Sequence, residues 1–381
     1  MKIAIIQGAF FPVPPLRGGA VEKVWWRLGR EFAERGHDVT HVSRSYPGLD
    51  REGLESEVNQ IRVRGYDQPS GGLLLKIRDL QYSLRAVRRV PLSDIIITNS
   101  FWAPVLLRRR QGVYVSVQRM PKGQLRLYRS ARLHACSSAV RDAIVAEDRS
   151  AAVRTCMIPN PLSEIPVGGS AWSKREKRIL FVGRLHPEKG IELLLAAFRR
   201  AGRDRVIRGW KLVVVGPSDA SGGGGGKKWV ETLRQKYGSE DVEFTGPIYD
   251  AAELALQYQR ARLFVYPSLA ERGETFGVAP LEAMSWGMVP VVSDLACFRD
   301  FIDVGKNGFV FNHRSPAAEE TFAKLLVELV CRSLEVESHA ALGVRISHNP
   351  ARIADSFLAD FALTVTHGVK HPKVPELTRS L

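Results

Sequence analysis

Cysteine is scarce in this chain of 381 residues: only Cys136, Cys156, Cys297 and Cys331, widely spaced and with no CxxC pair. That excludes a disulfide scaffold and a thiolate zinc site, and it suits a reducing, cytoplasmic setting. The nine histidines include no HExxH, so no metal site built by the protein is expected. No apolar run approaches the roughly 20 residues that a membrane span needs. The opening MKIAIIQGAFFPVPPLRGG has the lysine and apolar residues of a signal peptide. Gln7 and three prolines interrupt it, however, and no small-residue cleavage site follows. A first strand over Lys2–Ile6 is the expectation.

What is present is a globular composition, 45% hydrophobic and 25% charged, in a length that favours two domains. The net charge of +15 is uneven: residues 1–150 hold 25 Lys and Arg against 14 Asp and Glu, a balance of +11. From Lys76 to Arg132 only Asp79 and Asp94 oppose 13 basic residues. Such a surface serves an anionic partner (a phosphorylated acceptor, acidic lipid or nucleic acid) or is simply a solvated basic face.

Short β-branched runs alternate with helical periods: KIAII, DVTHVS, DIIIT, VYVSV, RILFV, KLVVVG, VEFTG, RLFVYP and MVPVVS. Between them lie amphipathic stretches such as GAVEKVWWRLGREFAERG, which ends on Gly36 as a helix C-terminus does. The alternation implies right-handed βαβ units, parallel sheets and an α/β fold. A Pro-, Gly- and Ser-rich break at Ile158–Lys177 reads as an interdomain linker, with a hinge near Pro159–Ser170. The expected domains are 1–165, 166–350, and a C-terminal segment 351–381 whose ARIADSFLADFALT is apolar at helical spacing. Two open sheets with ligands at their strand C-termini would enclose a cleft.

GGLLLKIRDLQYSLRAVRRV puts Leu73, Ile77, Leu80, Leu84 and Val87 on one stripe, with Lys76, Arg78, Arg85, Arg88 and Arg89 elsewhere. A basic amphipathic helix of this kind can lie on an anionic membrane. Packing of the stripe on the sheet is commoner, and that is the expectation. Two glycine-rich stretches follow strands. In KLVVVGPSDASGGGGGKKW the P-loop register fails, because Ser221 stands at the first glycine position and Lys228 at the hydroxyl position. A mobile surface loop is expected there. Gly18-Gly19, which open the first helix, would present bare backbone N–H groups to an anion or a sugar oxygen, or form a plain tight turn.

The segment LAERGETFGVAPLEAMSWGMVPVVSD holds Glu271, Glu274 and Glu282. Gly277 and Pro280 argue against continuous helix between the last two. Glu274 then lies in a loop, the helix begins near Val278, Glu282 sits on its second turn, and Gly287 ends it. Upstream, LFVGRLHPEKGIELLLAAF ends a strand at Gly183 and sets Arg184 and Lys189 before the next helix. Cations near helix N-termini provide positive potential where a diphosphate leaving group develops charge.

GRLHPEKG followed by ETFGVAPLEAMSWGMVPVV resembles the retaining glycosyltransferases of family 4, whose E-x7-E motif the pair Glu274/Glu282 matches. The likeness extends to GGAVEKVWWRLGREFAERGHDVT, SSAVRDAI, MIPNPL and FTGPIYDAAELALQYQRARLFVYPS. It implies a GT-B fold, two Rossmann-like β/α/β domains facing each other across a deep cleft. It also implies metal-independent transfer of a sugar from a nucleotide-diphosphate-sugar, with no tightly bound cofactor. Arg184 and Lys189 would bind the diphosphate, Glu274 the sugar hydroxyls and Glu282 the ribose. N–H groups around Thr275, Phe276, Gly277 and Val278 would meet sugar and phosphates. Gly183 closes the strand before Arg184, Gly246 and Ile248 would lie by the base, and Gly18 and Gly19 would approach from the other domain. The chain has no DxD. Where family members often carry a histidine, this chain has Gln118, which can hydrogen-bond a hydroxyl but carries no proton. Trp102, in NSFWAP, could stack on a sugar or pack under its loop. The acceptor would be a saccharide, lipid-linked precursor or small metabolite, anionic acceptors included. Peripheral contact with the inner membrane face would fit the basic domain, and no nucleic acid is expected. The competing readings are a glycoside hydrolase using Glu274 and Glu282, and a non-enzymatic polyanion binder.

Overall fold

The β-branched runs become strands of two separate, mainly parallel sheets. The computed structural model describes residues 1–17, 19–67, 72–168 and 171–368. Two units divide the chain: Met1–Ser163 with His348–Leu381, and Glu164–Ser347.

The first unit holds β1 (Lys2–Ile6), β2 (Asp38–Arg44), β3 (Glu52–Glu55), β4 (Val58–Val63), β5 (Ile95–Thr98), β6 (Val113–Val117), β7 (Arg132–Ala135) and β8 (Thr155–Met157). Their order is β3-β4-β2-β1-β5-β6-β7-β8, parallel except where β3 pairs antiparallel with β4. The order reverses direction between β1 and β5, so right-handed connections put helices on opposite faces to either side of that point. The helix Ala20–Glu34 covers one face, joined there by Pro350–His367. Trp25 and Phe32 meet Phe357 and Phe361 edge-on, with ring centroids 5.2 Å (Trp25–Phe357) and 5.6 Å (Phe32–Phe361) apart. The helix Pro350–His367, the described part of the C-terminal segment, therefore packs into this unit's core.

A buried ion pair pins that helix. Arg132 on β7 donates through Nη2 to Asp360 Oδ1 at 2.6 Å and through Nε to Oδ2 at 3.1 Å. The Tyr114 hydroxyl donates to the same carboxylate at 3.0 Å. Neither member of the pair is exposed. Bidentate geometry and a third donor offset the cost of taking two charges out of water.

On the other face, the helix Gly72–Arg89 reverses its expected orientation. Its buried residues are Asp79, Tyr82, Ser83 and Ala86, while Leu73, Leu74, Ile77 and Leu84 are exposed. Leu80 and Val87 are half-buried. The inward face is held by polar bonds: Ser83 Oγ lies 2.8 Å from Ser100 Oγ, which donates to Asp79 Oδ2 at 3.0 Å. The Trp102 N–H donates to Asp79 Oδ2 at 3.2 Å.

The second unit holds β9 (Glu176–Val182), β10 (Lys211–Val215), β11 (Val242–Gly246), β12 (Ala261–Tyr266), β13 (Val289–Ser293) and β14 (Phe309–Phe311). The order is β11-β10-β9-β12-β13-β14, all parallel. Its reversal falls between β9 and β12. The apparent linker is shorter than its composition suggests, since Ile158 N–H still donates to Ala135 O and Glu176 already begins β9.

Asp360→Ala strands the Arg132 guanidinium in the core. Removal of one partner of a buried pair costs about 3–5 kcal/mol. Urea titration followed by circular dichroism is expected to show that loss in the first unit's transition, with a smaller loss for Asp360→Asn.

Candidate functional site: a buried Lys–Glu pair at a strand switch point

In the second unit the loop after β9 runs Gly183–Lys189, and its 3₁₀ turn Pro187–Lys189 ends on Gly190 in the left-handed region (φ 68°). A Cβ on Gly190 would sit 2.0 Å from Pro267 O, so only glycine lets this loop approach the one after β12. Leu269 N–H donates to Glu188 O at 2.7 Å, joining the two loops. They leave adjacent strands where the order reverses, the place at which open parallel sheets bind ligands.

Lys189 turns inward there. Its Nζ donates to Glu274 Oε2 at 2.6 Å and lies 5.2 Å from the Tyr266 ring centroid. Both members of the pair are buried. Burial alone would lower the lysine's pKa, but the Tyr266 oxygen and the Glu274 carboxylate outweigh it and hold the ammonium well above its ordinary range. Tyr266 is pushed up by burial and then by Glu274.

After the turn Ala270–Glu274, Gly277 (φ 92°) opens the helix Val278–Ser285. A Cβ there would lie 2.4 Å from Phe298 Cε1. Pro280 occupies the first turn, where its missing N–H costs nothing, and Gly287 follows at φ 74°. Thr275 and Phe276 are buried, the latter 5.4 Å from the Phe301 ring. Glu282 is half-buried and accepts from the Tyr258 hydroxyl at 3.3 Å. Burial, then Glu282, raises the Tyr258 pKa. Glu271 stands apart as a surface residue, bridging Arg314 and His313 Nε2, each contact 2.7–2.8 Å long. Its pKa is lowered by Arg314 first and His313 after.

Arg184 and Lys189 do not share partners. Arg184 is exposed and donates to Gly223 O and to Glu188 Oε1, each at 2.7 Å. The five-glycine stretch, expected to be a mobile surface loop, is fastened to this one. Gly225 N–H donates to Leu185 O at 2.7 Å and Gly226 N–H to Ser218 O at 2.8 Å. A Cβ on Gly224 would lie 2.4 Å from Ser218 O, so at that position glycine is a steric requirement of close backbone contact. Gly183 N–H donates to Val215 O. Gly246 (φ 79°) ends β11 with its carbonyl accepting from Gly216, and Ile248 lies half-buried just beyond.

In the first unit, Gly18 lies outside the described residues. Gly19 has φ 94° and caps the helix Ala20–Glu34, with Glu22 folded beneath it. A Cβ on Gly19 would be 2.3 Å from Glu22 Oε2, and one on Gly8 would be 3.5 Å from Oε1. Burial raises the Glu22 pKa to about 7, opposed by its own backbone N–H and by Arg119. The sequence reading passed over this carboxyl; an acid three residues after a glycine pair at a strand exit was its signal. Gln118 forms a mutual amide pair with Asn160 (3.1 and 3.4 Å) and donates to Ser116 Oγ at 3.1 Å. Ser116 Oγ lies 3.2 Å from His134 Nδ1, whose ring is kept neutral by burial, its pKa lowered to about 4. Trp102 is half-buried, donates from Nε1 to Lys76 O at 3.0 Å and meets Phe101 edge-on. Among the described residues no three His, Cys, Asp or Glu could hold a metal ion. His37 and His41 stand four apart, but His41 is on β2, where that spacing spans about 13 Å.

Residues 168–330 match the family model described as glycosyl transferases group 1. The chain is 29% identical over 200 residues to a phosphatidyl-myo-inositol mannosyltransferase of Mycobacterium leprae, covering 51% of this chain and 48% of that one. It thus spans about half the length, or less, of the curated relatives it matches. Its fold is close to sucrose-phosphate synthase of Thermosynechococcus elongatus: TM-score 0.77, 19% identity, 95% of this chain and 98% of that one. A structure of Anabaena Alr3699/HepE in complex with UDP and glucose gives 0.72 and 17%, covering 95% and 99%. Two Rossmann-like units in this order make the fold GT-B, as expected from the sequence.

The buried Glu22 titrates late, so its proton favours the folded state. That contribution is complete below the unfolded pKa near 4.5 and is lost as pH rises through about 7. Glu22→Gln removes the loss. Relative to wild type, the variant is expected to gain on the order of 3 kcal/mol between pH 4 and pH 8 in urea titrations.

Proposed function

We propose that the chain is a retaining glycosyltransferase that moves a sugar from a nucleotide-diphosphate-sugar to an acceptor hydroxyl. The observation that carries this reading is the buried Lys189–Glu274 pair at the β9/β12 switch point, beside the glycine-opened helix Val278–Ser285. A fixed ammonium and a helix N-terminus provide positive potential for a diphosphate. Arg184, held by Gly223 and Glu188, adds a second cation at the rim. The group 1 match over 168–330 covers all of these residues.

In this reading the donor diphosphate takes over the Lys189 ammonium, and Glu274 is released toward hydroxyls of the transferred sugar. Glu282 holds the ribose, and N–H groups at Thr275–Val278 meet the sugar and phosphates. Gly246 and Ile248 lie by the base, with Gly183 allowing the β9 exit to turn. The acceptor oxygen attacks the anomeric carbon from the face that the phosphate leaves, and the phosphate oxygen accepts the acceptor's proton. Lys189, Arg184 and the helix start carry the leaving charge without a divalent metal. Gln118 hydrogen-bonds a hydroxyl and moves no proton.

The test is a thermal-shift screen of the full chain with UDP-, GDP-, ADP- and TDP-sugars, followed by transfer assays in chelator. One donor is expected to raise the melting temperature. Lys189→Met and Glu274→Gln should abolish that shift and reduce transfer by about a hundredfold or more. No shift with any nucleotide sugar, together with release of free sugar from a simple glycoside, would overturn the reading.

A further inference from the structure

The face of the first unit opposite the helix Ala20–Glu34 carries an unpartnered apolar stripe edged with arginine. Leu73, Ile77 and Leu84 recur at helical spacing on Gly72–Arg89 and are exposed, Leu73 at 75%. Single exposed leucines are ordinary, whereas several in register on one helix are not. Arg78, Arg85, Arg88 and Arg89 lie between this stripe and the buried face, at the level where an interfacial helix meets headgroups.

Neighbouring elements continue the pattern. The connections from β4 to β5, β5 to β6 and β6 to β7 all step in the same direction across the sheet, so right-handed crossovers place them on one face. Direct contacts agree: Trp102 Nε1 donates to Lys76 O, and the Tyr128 hydroxyl donates to Phe101 O at 2.7 Å. These elements bring exposed Leu106 and Leu127 (51%) together with exposed Arg108, Arg109 and Arg110. Among the described residues, Arg88 and Arg108–Arg110 make no ion pair. One acid opposes the face, Glu52 on Arg89, while Asp79 is buried and Glu147 accepts from the Gly123 and Leu125 N–H groups, which leaves Arg88 and Arg108–Arg110 to meet phosphates.

We propose that this face is a docking surface for an anionic lipid bilayer, with the Leu73/Ile77/Leu84 stripe entering the acyl boundary and the arginines meeting phosphates. The charge complementarity selects a membrane, since a second copy of this chain would bring a like-charged face. No helix among the described residues is long and apolar enough to cross a membrane, so the contact is peripheral. It adds a location to the proposed transferase and does not depend on the donor site.

The full chain is mixed with sucrose-loaded vesicles of phosphatidylcholine, with or without about 30 mol% phosphatidylglycerol, and sedimented. Binding is expected to the anionic vesicles and not to the neutral ones. Leu73→Ser/Ile77→Ser and, separately, Arg109→Glu/Arg110→Glu should each weaken it by about tenfold or more, with unchanged circular dichroism. The charge variant keeps every leucine, so it reports even if the leucine variant unfolds. Failure to sediment with anionic vesicles would overturn the proposal. So would undiminished binding of either folded variant, or a dimer in sedimentation velocity that the leucine variant dissolves.

Discussion

The Lys189–Glu274 pair is the constraint around which the second unit's functional end is arranged. An ammonium and a carboxylate buried together lose hydration that their attraction only partly restores. They are held in place because backbone geometry brings their two loops within reach. Gly190 lies against the Pro267 carbonyl and Gly277 against Phe298, and neither position has room for a side chain. The same closeness recurs at the rim, where Gly216 meets the Gly183 carbonyl and Gly224 the Ser218 carbonyl. An ion pair positioned by closely packed backbone is pre-organised, its lysine fixed by the loops that carry it.

Much of this was readable from the residues. Buried parallel strands are continuous β-branched runs, so KIAII, DIIIT, RILFV and KLVVV declare themselves. The strands that did not, β3 (EGLE), β4 (VNQIRV), β7 (RLHA), β8 (TCM) and β14 (FVF), are short or polar or lie toward the sheets' edges. Their pairing comes from neighbours rather than from local pattern. Gly277, Pro280 and Gly287 marked the helix Val278–Ser285 because each has a conformational reason for its place. What the spacing could not convey was the direction of the lysine's side chain, or that Arg184 would be held by a glycine carbonyl instead of joining Lys189.

The helix Gly72–Arg89 shows why hydrophobic periodicity alone can choose the wrong face. The pattern locates an apolar stripe correctly but assumes that water is what the stripe avoids and the sheet is what it meets. Asp79 and Ser83 reverse that choice through Ser100 and the Trp102 N–H, partners more than fifteen residues away in sequence. A satisfied buried polar network competes with apolar burial on equal terms when each member has a partner. The leucines are left to whatever else can cover them.

Glu22 and Glu274 show the same side chain in opposite electrostatic surroundings. Both lie near strand exits at a switch point, next to a glycine turn that opens a helix. Glu274 has a buried ammonium at 2.6 Å, and its charge is part of the arrangement. Glu22 has no ion pair among the described residues, and the distant pull of Arg119 does not offset its desolvation, so it holds a proton up to about pH 7. An identical residue in a similar local frame is therefore paired with a buried ammonium in one unit and left without an ion-pair partner, among the described residues, in the other. A glutamate's role here follows from whether the fold provides a cation within one hydrogen bond, which spacing along the chain does not encode.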